Sequence, residues 1–115
     1  MQDCIFCKIA KHEIETEMVY ENDLVVAFKD MNPAAQVHIL IVPKEHVTNF
    51  YELASNSRKA LIMGAVTDAV KAIADQFETS DGFRLIVNNG KDAGQTVFHL
   101  HFHLIGGEVL GAKLV

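Results

Sequence analysis

From Phe98 to Leu104 the chain alternates strictly between large apolar residues and histidine: Phe98, Leu100, Phe102 and Leu104 interleave with His99, His101 and His103. A β-strand turns successive side chains to opposite faces, so this run reads as a strand with one apolar face buried and a row of imidazoles on the other. The strand is expected from Val97 to Ile105, with Gly106-Gly107 stopping it. At ~3.3 Å rise per residue, neighbouring imidazoles stand ~7 Å apart and the outer two ~13 Å, so the three can hardly share one metal ion. Two adjacent ones can converge on zinc at the usual bond length of ~2.0 to 2.1 Å. One histidine on a strand is an ordinary surface residue, but three in succession on one face need a chemical reason.

The apolar face of that strand requires a cover. Between Ser57 and Phe77 the positions Ile62, Val66, Ala69, Val70, Ile73 and Phe77 recur at steps of three and four, which predicts one long helix with an apolar stripe. Ser55 or Ser57 would cap its start. Met18 to Tyr20 and Leu24 to Phe28 are β-branched and aromatic runs split by Glu21-Asn22-Asp23, a hairpin pattern. Lys29 to Gln36, with Asn32-Pro33, is a connecting loop before a third strand, Val37 to Val42, ended by Pro43. Asp81-Gly82 breaks the chain before a fourth strand, Phe83 to Val87, and Asn88-Asn89-Gly90 is a turn. Strands, one crossing helix, then strands make an α+β architecture with a mainly antiparallel sheet, whose strand order this pattern does not give. A length of 115 residues without repeats or linkers fits a single domain, 1–115.

Composition excludes several partners. A net charge of -5, with ten Lys and Arg forming no stripe, argues against nucleic acid. The apolar stretches Val37 to Pro43 and Ala60 to Val66 fall far short of the ~20 residues of a membrane span. The segment Met1 to Lys8 has no basic stretch followed by an apolar run, so no secretory signal is read and a cytoplasmic location is expected. The two cysteines, Cys4 and Cys7, suit metal or redox chemistry in a reducing compartment more than a structural disulfide. A redox pair should open a helix after a strand, yet only three residues precede Cys4. Zinc would need two further donors, and two small buried thiols would need none.

Ahead of the histidine strand lies Asn88-Asn89-Gly90-Lys91-Asp92-Ala93-Gly94-Gln95-Thr96. A glycine-containing turn at that point can aim backbone N–H groups at an anion. Beside imidazoles that act near pH 7 as nucleophiles or proton carriers, this suggests phosphate as the ligand.

The run His99 to Ile105 resembles the signature of the histidine-triad (HIT) family, three histidines alternating with apolar residues. Cys4-Ile5-Phe6-Cys7-Lys8-Ile9, Ala27-Phe28-Lys29-Asp30, His38 to His46 and Gly94-Gln95-Thr96 are similar to the family's other landmarks in the family's order, so the resemblance covers about residues 3 to 107. It implies a HIT-like fold, with a short N-terminal helix beside the long one. The N-terminal motif and Phe28 to Asp30 are similar to the HINT-like branch of nucleotide phosphoramidases.

Carried over position by position, the resemblance implies hydrolysis of a nucleoside 5'-phosphoramidate or related nucleotidyl bond, with a purine nucleotide expected. His101 would attack the α-phosphorus and be transiently nucleotidylated, its Nδ1 held by a backbone carbonyl. His103 and His38 would flank the phosphate, Gln95 and Thr96 would contact phosphate oxygens or the leaving group, and Asn88 would sit beside the same pocket. Asp30 would accept bonds from the ribose hydroxyls, and Ile5, Phe6, Ile9, Phe28 and Met31 would line the base, although ordinary core is an equal reading for those apolar side chains. His46 and His99 stand at positions that complete a structural zinc site with Cys4 and Cys7. Relatives also imply a homodimer through the long helix and Phe83 to Val87, a β-branched strand with an unprotected edge. Two features depart from the better-known members: Thr96 stands where many have Ser, and Val109 to Val115 lacks their aromatic, Pro-rich ending. The alternatives are a dinucleoside polyphosphate hydrolase and a nucleotide-binding or zinc-stabilised interaction module with negligible turnover.

Overall fold

A computed structural model describes residues 4–112. In chain order the elements are α1 (Ile5–Ala10), β1 (Met18–Glu21), β2 (Val25–Lys29), β3 (Val37–Pro43), α2 (Phe50–Leu53), α3 (Lys59–Gln76), β4 (Phe83–Ile86), a 3-10 turn (Lys91–Ala93) and β5 (Phe102–Gly106). The strands form one five-stranded sheet in the order β1-β2-β3-β5-β4, with every neighbouring pair antiparallel. Asn22 organises the hairpin turn: its side-chain oxygen accepts from the N–H groups of Leu24 and Val25 while its amide donates to the Ala65 carbonyl of α3.

β2 and β3 are buried on both faces, and their alternating residues separate two cores. Val25, Ala27, Ile39 and Ile41 pack with Ile62, Val66, Ala69 and Ile73 of α3, joined by Leu100, Phe102 and Leu104. On the opposite face Val26, Phe28, Leu40 and Val42 pack against Phe6, Ile9 and Ala10 of α1. Each fully buried aliphatic side chain is worth about 1.5–3 kcal/mol, so the α3 face carries most of the stability and the α1 face forms a thinner lid. Among the described residues no helix is long and apolar enough to cross a membrane.

Two expectations change, and one element is new. The histidine strand is shorter than its pattern: β5 begins at Phe102, where pairing with β3 ends opposite Ile41. The Leu100 N–H donates instead to the Val47 carbonyl at 2.7 Å, drawing residues 97–101 off the ladder. Leu100, Phe102 and Leu104 still face α3, but Phe98 lies outside that core and stays half exposed. The long helix is capped by neither Ser55 nor Ser57; Arg58 takes the N-cap position, and its N–H is received by the side-chain oxygen of Asn56. Finally, the four-residue helix α2 carries no periodic signal, and Asn49 caps it by accepting from the Glu52 N–H.

Candidate active site and metal centre

The α1 face of the sheet gathers the histidines. In the β3–β5 register His103 lies opposite Leu40 and diagonal to His38, which brings their rings to 5.2 Å between centroids. His101 follows on the same face, 5.1 Å from the His103 ring, with Phe6 of α1 edge-on to it at 5.1 Å. His99, bent off the ladder, turns to His46 and the cysteines.

Backbone partners assign the protons on these rings. A carbonyl only accepts, so the 2.7 Å contact of His101 Nδ1 with the His99 carbonyl puts the proton on Nδ1 and leaves Nε2 with an open lone pair. His38 is the reverse case: the Ala34 N–H donates to its Nδ1 at 2.9 Å, so its proton sits on Nε2. That proton faces His103 Nδ1 at 2.9 Å, and the Asp30 carboxylate stands nearby with Oδ2 3.4 Å from Nε2. His103 must therefore carry its own proton on Nε2. Burial, followed by the neighbouring His101 and His38, holds the His103 pKa at about 4 against an opposing push from Asp30, so the ring is neutral at pH 7. Adjacent rings thus expose a lone pair on His101 and an N–H on His103.

Two clusters among the described residues have metal-like donors: Cys4, Cys7, His46 and His99, and Asp30, His38 and His103. The first fits zinc. Its S···N separations are 3.2 Å from Cys4 to His99, 3.5 Å from Cys7 to His99 and 3.3 Å from Cys7 to His46. A tetrahedral ion with bonds of about 2.3 Å to sulfur and 2.0–2.1 Å to nitrogen places such atoms roughly 3.6 Å apart. His99 Nε2 donates to the Pro43 carbonyl at 2.8 Å, which leaves Nδ1 as the bare nitrogen aimed at both sulfurs. Burial lowers the His99 pKa to about 4, keeping the ring in the neutral form a metal requires, whereas burial and then the adjacent Cys4 push the Cys7 thiol up. A bound cation would reverse the Cys7 effect. The second cluster does not fit, because the Ala34 N–H on His38 Nδ1 leaves Nε2 protonated and without a lone pair for an ion.

The remaining expected residues divide. Phe6, Ile9 and Phe28 are buried in the α1 core, whereas Ile5 and Met31 are exposed at 47% and 89% and can meet a ligand without rearrangement. Asn88 is half-buried two residues beyond Ile86, the β4 partner of His103, and Thr96 is exposed. Gln95 is buried and engaged with the backbone: its amide donates to Thr48 and Val97 carbonyls while its oxygen accepts from the Gly90 N–H. Within the loop the N–H groups of Gly90, Ala93, Gly94 and Gln95 are received internally. Gly90 and Gly94, at φ +87° and +88°, let the loop fold back on itself. The contributions of the Ala34 N–H and the Pro43 carbonyl are invisible to sequence, because every residue carries such groups.

The HIT domain profile matches residues 11–110. The chain belongs to the HIT family. Curated HIT relatives include an HIT-like protein of Synechococcus elongatus, 47% identical over 109 residues that cover 95% of this chain and 94% of the relative. Another is the purine nucleoside phosphoramidase of Escherichia coli, 39% identical over 113 residues, 98% of this chain and 94% of that protein. Among solved structures, a HIT family hydrolase from Clostridium thermocellum superposes with a TM-score of 0.93 at 46% identity, covering 100% of this chain and 99% of the other. The α+β sheet and its two helical covers are thus a HIT fold.

Proposed function

We propose that this HIT protein, acting as a single domain over 1–115, hydrolyses nucleoside 5'-phosphoramidates, with a purine nucleotide as the recognised part. The observation that carries the reading is the opposed pair of ring nitrogens: an open lone pair on His101 beside an N–H on His103. A nucleophile needs the first, and a phosphate oxygen needs the second. The E. coli relative named as a purine nucleoside phosphoramidase supports the substrate class.

In the first displacement His101 Nε2 forms a bond to phosphorus as the P–N bond to the amine breaks. The Nδ1–H, held by the His99 carbonyl, stabilises the charge that develops on the ring. His103 Nε2–H holds a phosphoryl oxygen, and the departing amine takes a proton that originates in solvent and is relayed by the Thr96 hydroxyl, which accepts one proton as it gives another. Water then attacks phosphorus, the P–Nε2 bond breaks, and nucleoside monophosphate is released with the net uptake of one water. Asp30 receives the ribose hydroxyls, and Ile5 and Met31 meet the base. Cys4, Cys7, His46 and His99 would hold one zinc ion in a closed site, where the ion supplies structural cross-linking of α1 to the sheet. The paired thiols suit a reducing, cytoplasmic setting.

The deciding experiment compares adenosine phosphoramidate, guanosine phosphoramidate and diadenosine polyphosphates as substrates for the pure protein. Turnover of the phosphoramidates well above the polyphosphates is expected. Preferential cleavage of the polyphosphates, or turnover of neither class, would overturn the reading.

A further inference from the structure

The loop between β2 and β3 grips the His38 ring from both ends. Its Ala34 N–H donates to Nδ1 at 2.9 Å, and its Asp30 Oδ2 stands 3.4 Å from Nε2. Asp30 is itself fixed: its Oδ1 accepts from the Asn32 N–H at 2.8 Å, and its own N–H donates to the His38 carbonyl at 3.0 Å. The two side chains are 20% and 8% exposed, so solvent screens their contact little. A donor at one ring nitrogen and a carboxylate at the other select the same tautomer, with the proton on His38 Nε2. That proton points at His103 Nδ1, and the choice made at His38 is passed on to the nitrogen of His103 that faces away from it.

We propose that Asp30 is a positioning residue for the phosphate-facing N–H of His103, acting through His38, in addition to any contact it makes with the sugar. The inference rests on the phosphoramidase reading of the site. Without the carboxylate, the reversed arrangement, in which His103 Nδ1–H donates to a bare His38 Nε2, is opposed by the Ala34 N–H alone. In that arrangement His103 turns a lone pair toward the phosphoryl oxygens and repels them. Asp30 also counters the neighbours that depress protonation of His103, which helps the ring accept a proton while substrate is bound.

Asp30→Asn isolates this role, because asparagine keeps the oxygen that accepts from Asn32 and removes the charge facing His38. Sugar contact is separated from ring positioning by measuring the variant on adenosine phosphoramidate and on its 2',3'-dideoxy analogue, which has no hydroxyl for Asp30 to bind. With the carboxylate charge removed from 3.4 Å of His38 Nε2, kcat on the dideoxy substrate should fall roughly 10-fold in the variant. An unchanged kcat on that substrate would confine Asp30 to the sugar and overturn the proposal. Nitrogen-15 spectra of the histidine rings give a readout independent of turnover: native protein should show both His38 and His103 protonated on Nε2, and Asp30→Asn should mix the tautomers. If native protein turns over no phosphoramidate, the functional reading fails by itself. The ring spectra then decide alone, and unchanged tautomers in the variant would refute the positioning role.

Discussion

His101 and His103 are chemically identical residues two positions apart, and their different work comes from what touches Nδ1. A carbonyl on His101 and an imidazole on His103 give one ring a free lone pair and the other a free N–H. His101→Asn is therefore expected to abolish turnover while nucleotide still binds, because the proposed nucleophile is lost and His103 and Thr96 remain. His103→Asn should slow the reaction by about 100- to 10,000-fold, the usual range for lost acid-base assistance. Mass spectrometry after rapid acid-free quenching should locate the nucleotidyl group on His101 of the native enzyme. Substantial turnover by His101→Asn, or an adduct on another residue, would contradict the assignment. At this scale the strict alternation made His99, His101 and His103 legible, and the family pattern added His38. The family pattern also anticipates a carbonyl on His101 Nδ1, which His99 supplies, but not the partners of His38 and His99, which are the Ala34 N–H and the Pro43 carbonyl. The structural part of Gln95 is hidden for a related reason: a polar residue in a glycine loop reads as a ligand contact, and its three bonds to the loop's surroundings leave no mark in the pattern.

Elements with an unbroken apolar pattern are the most legible. α3 and the first four strands follow directly from their apolar spacing, whereas β5 was overextended because side-chain alternation continues for several residues after the neighbouring strand has stopped providing partners. That departure has a use, since it turns His99 away from His101 and toward Cys4, Cys7 and His46. α1 has only six residues, well below the ~12–15 at which an isolated helix becomes even marginal in water. The Cys7 N–H received by Cys4 Sγ caps it, and its hold on the sheet consists of the burial of Phe6, Ile9 and Ala10 and the cysteine-histidine cluster. One zinc equivalent per chain is expected by elemental analysis of protein purified without chelator. Its removal should lower the melting temperature, since a ligand that binds the folded state alone stabilises it by mass action. In Cys4→Ser/Cys7→Ser the melting temperature should no longer respond to chelator. Less than a tenth of an equivalent in native protein, with melting unaffected by chelation, would leave the cysteines as packing residues. Because Phe6 lies edge-on to His101, turnover measured before and after chelation tests whether loosening α1 reaches the proposed nucleophile.

For the whole molecule, the unequal cover of the sheet matters most. α3 packs mainly across β1, β2 and β3, and β4 forms one edge of the sheet. Phe83 and Leu85 remain 37% and 43% exposed there. Together with Val70, Ala74 and the flanking Thr67, Lys71 and Asp75 they line a groove of about 310 Å³. An edge strand presents unpaired N–H and C=O groups, and an apolar groove along the same edge adds a hydrophobic incentive to cover it. A second copy related by a two-fold axis meets both needs at once: β4 pairs antiparallel with its twin, and each groove receives apolar side chains from the other subunit. The two sheets would then run on as one, with the two active faces carried by a shared frame. Sedimentation at micromolar concentration should accordingly give twice the 12.7 kDa chain mass. Leu85→Lys places a charge in the groove without touching the histidines, and it should shift the equilibrium to the monomer with the fold retained by circular dichroism. A native protein that sediments as a clean monomer would refute the assembly, as would a Leu85→Lys variant that stays fully dimeric, because the contact would then lie elsewhere.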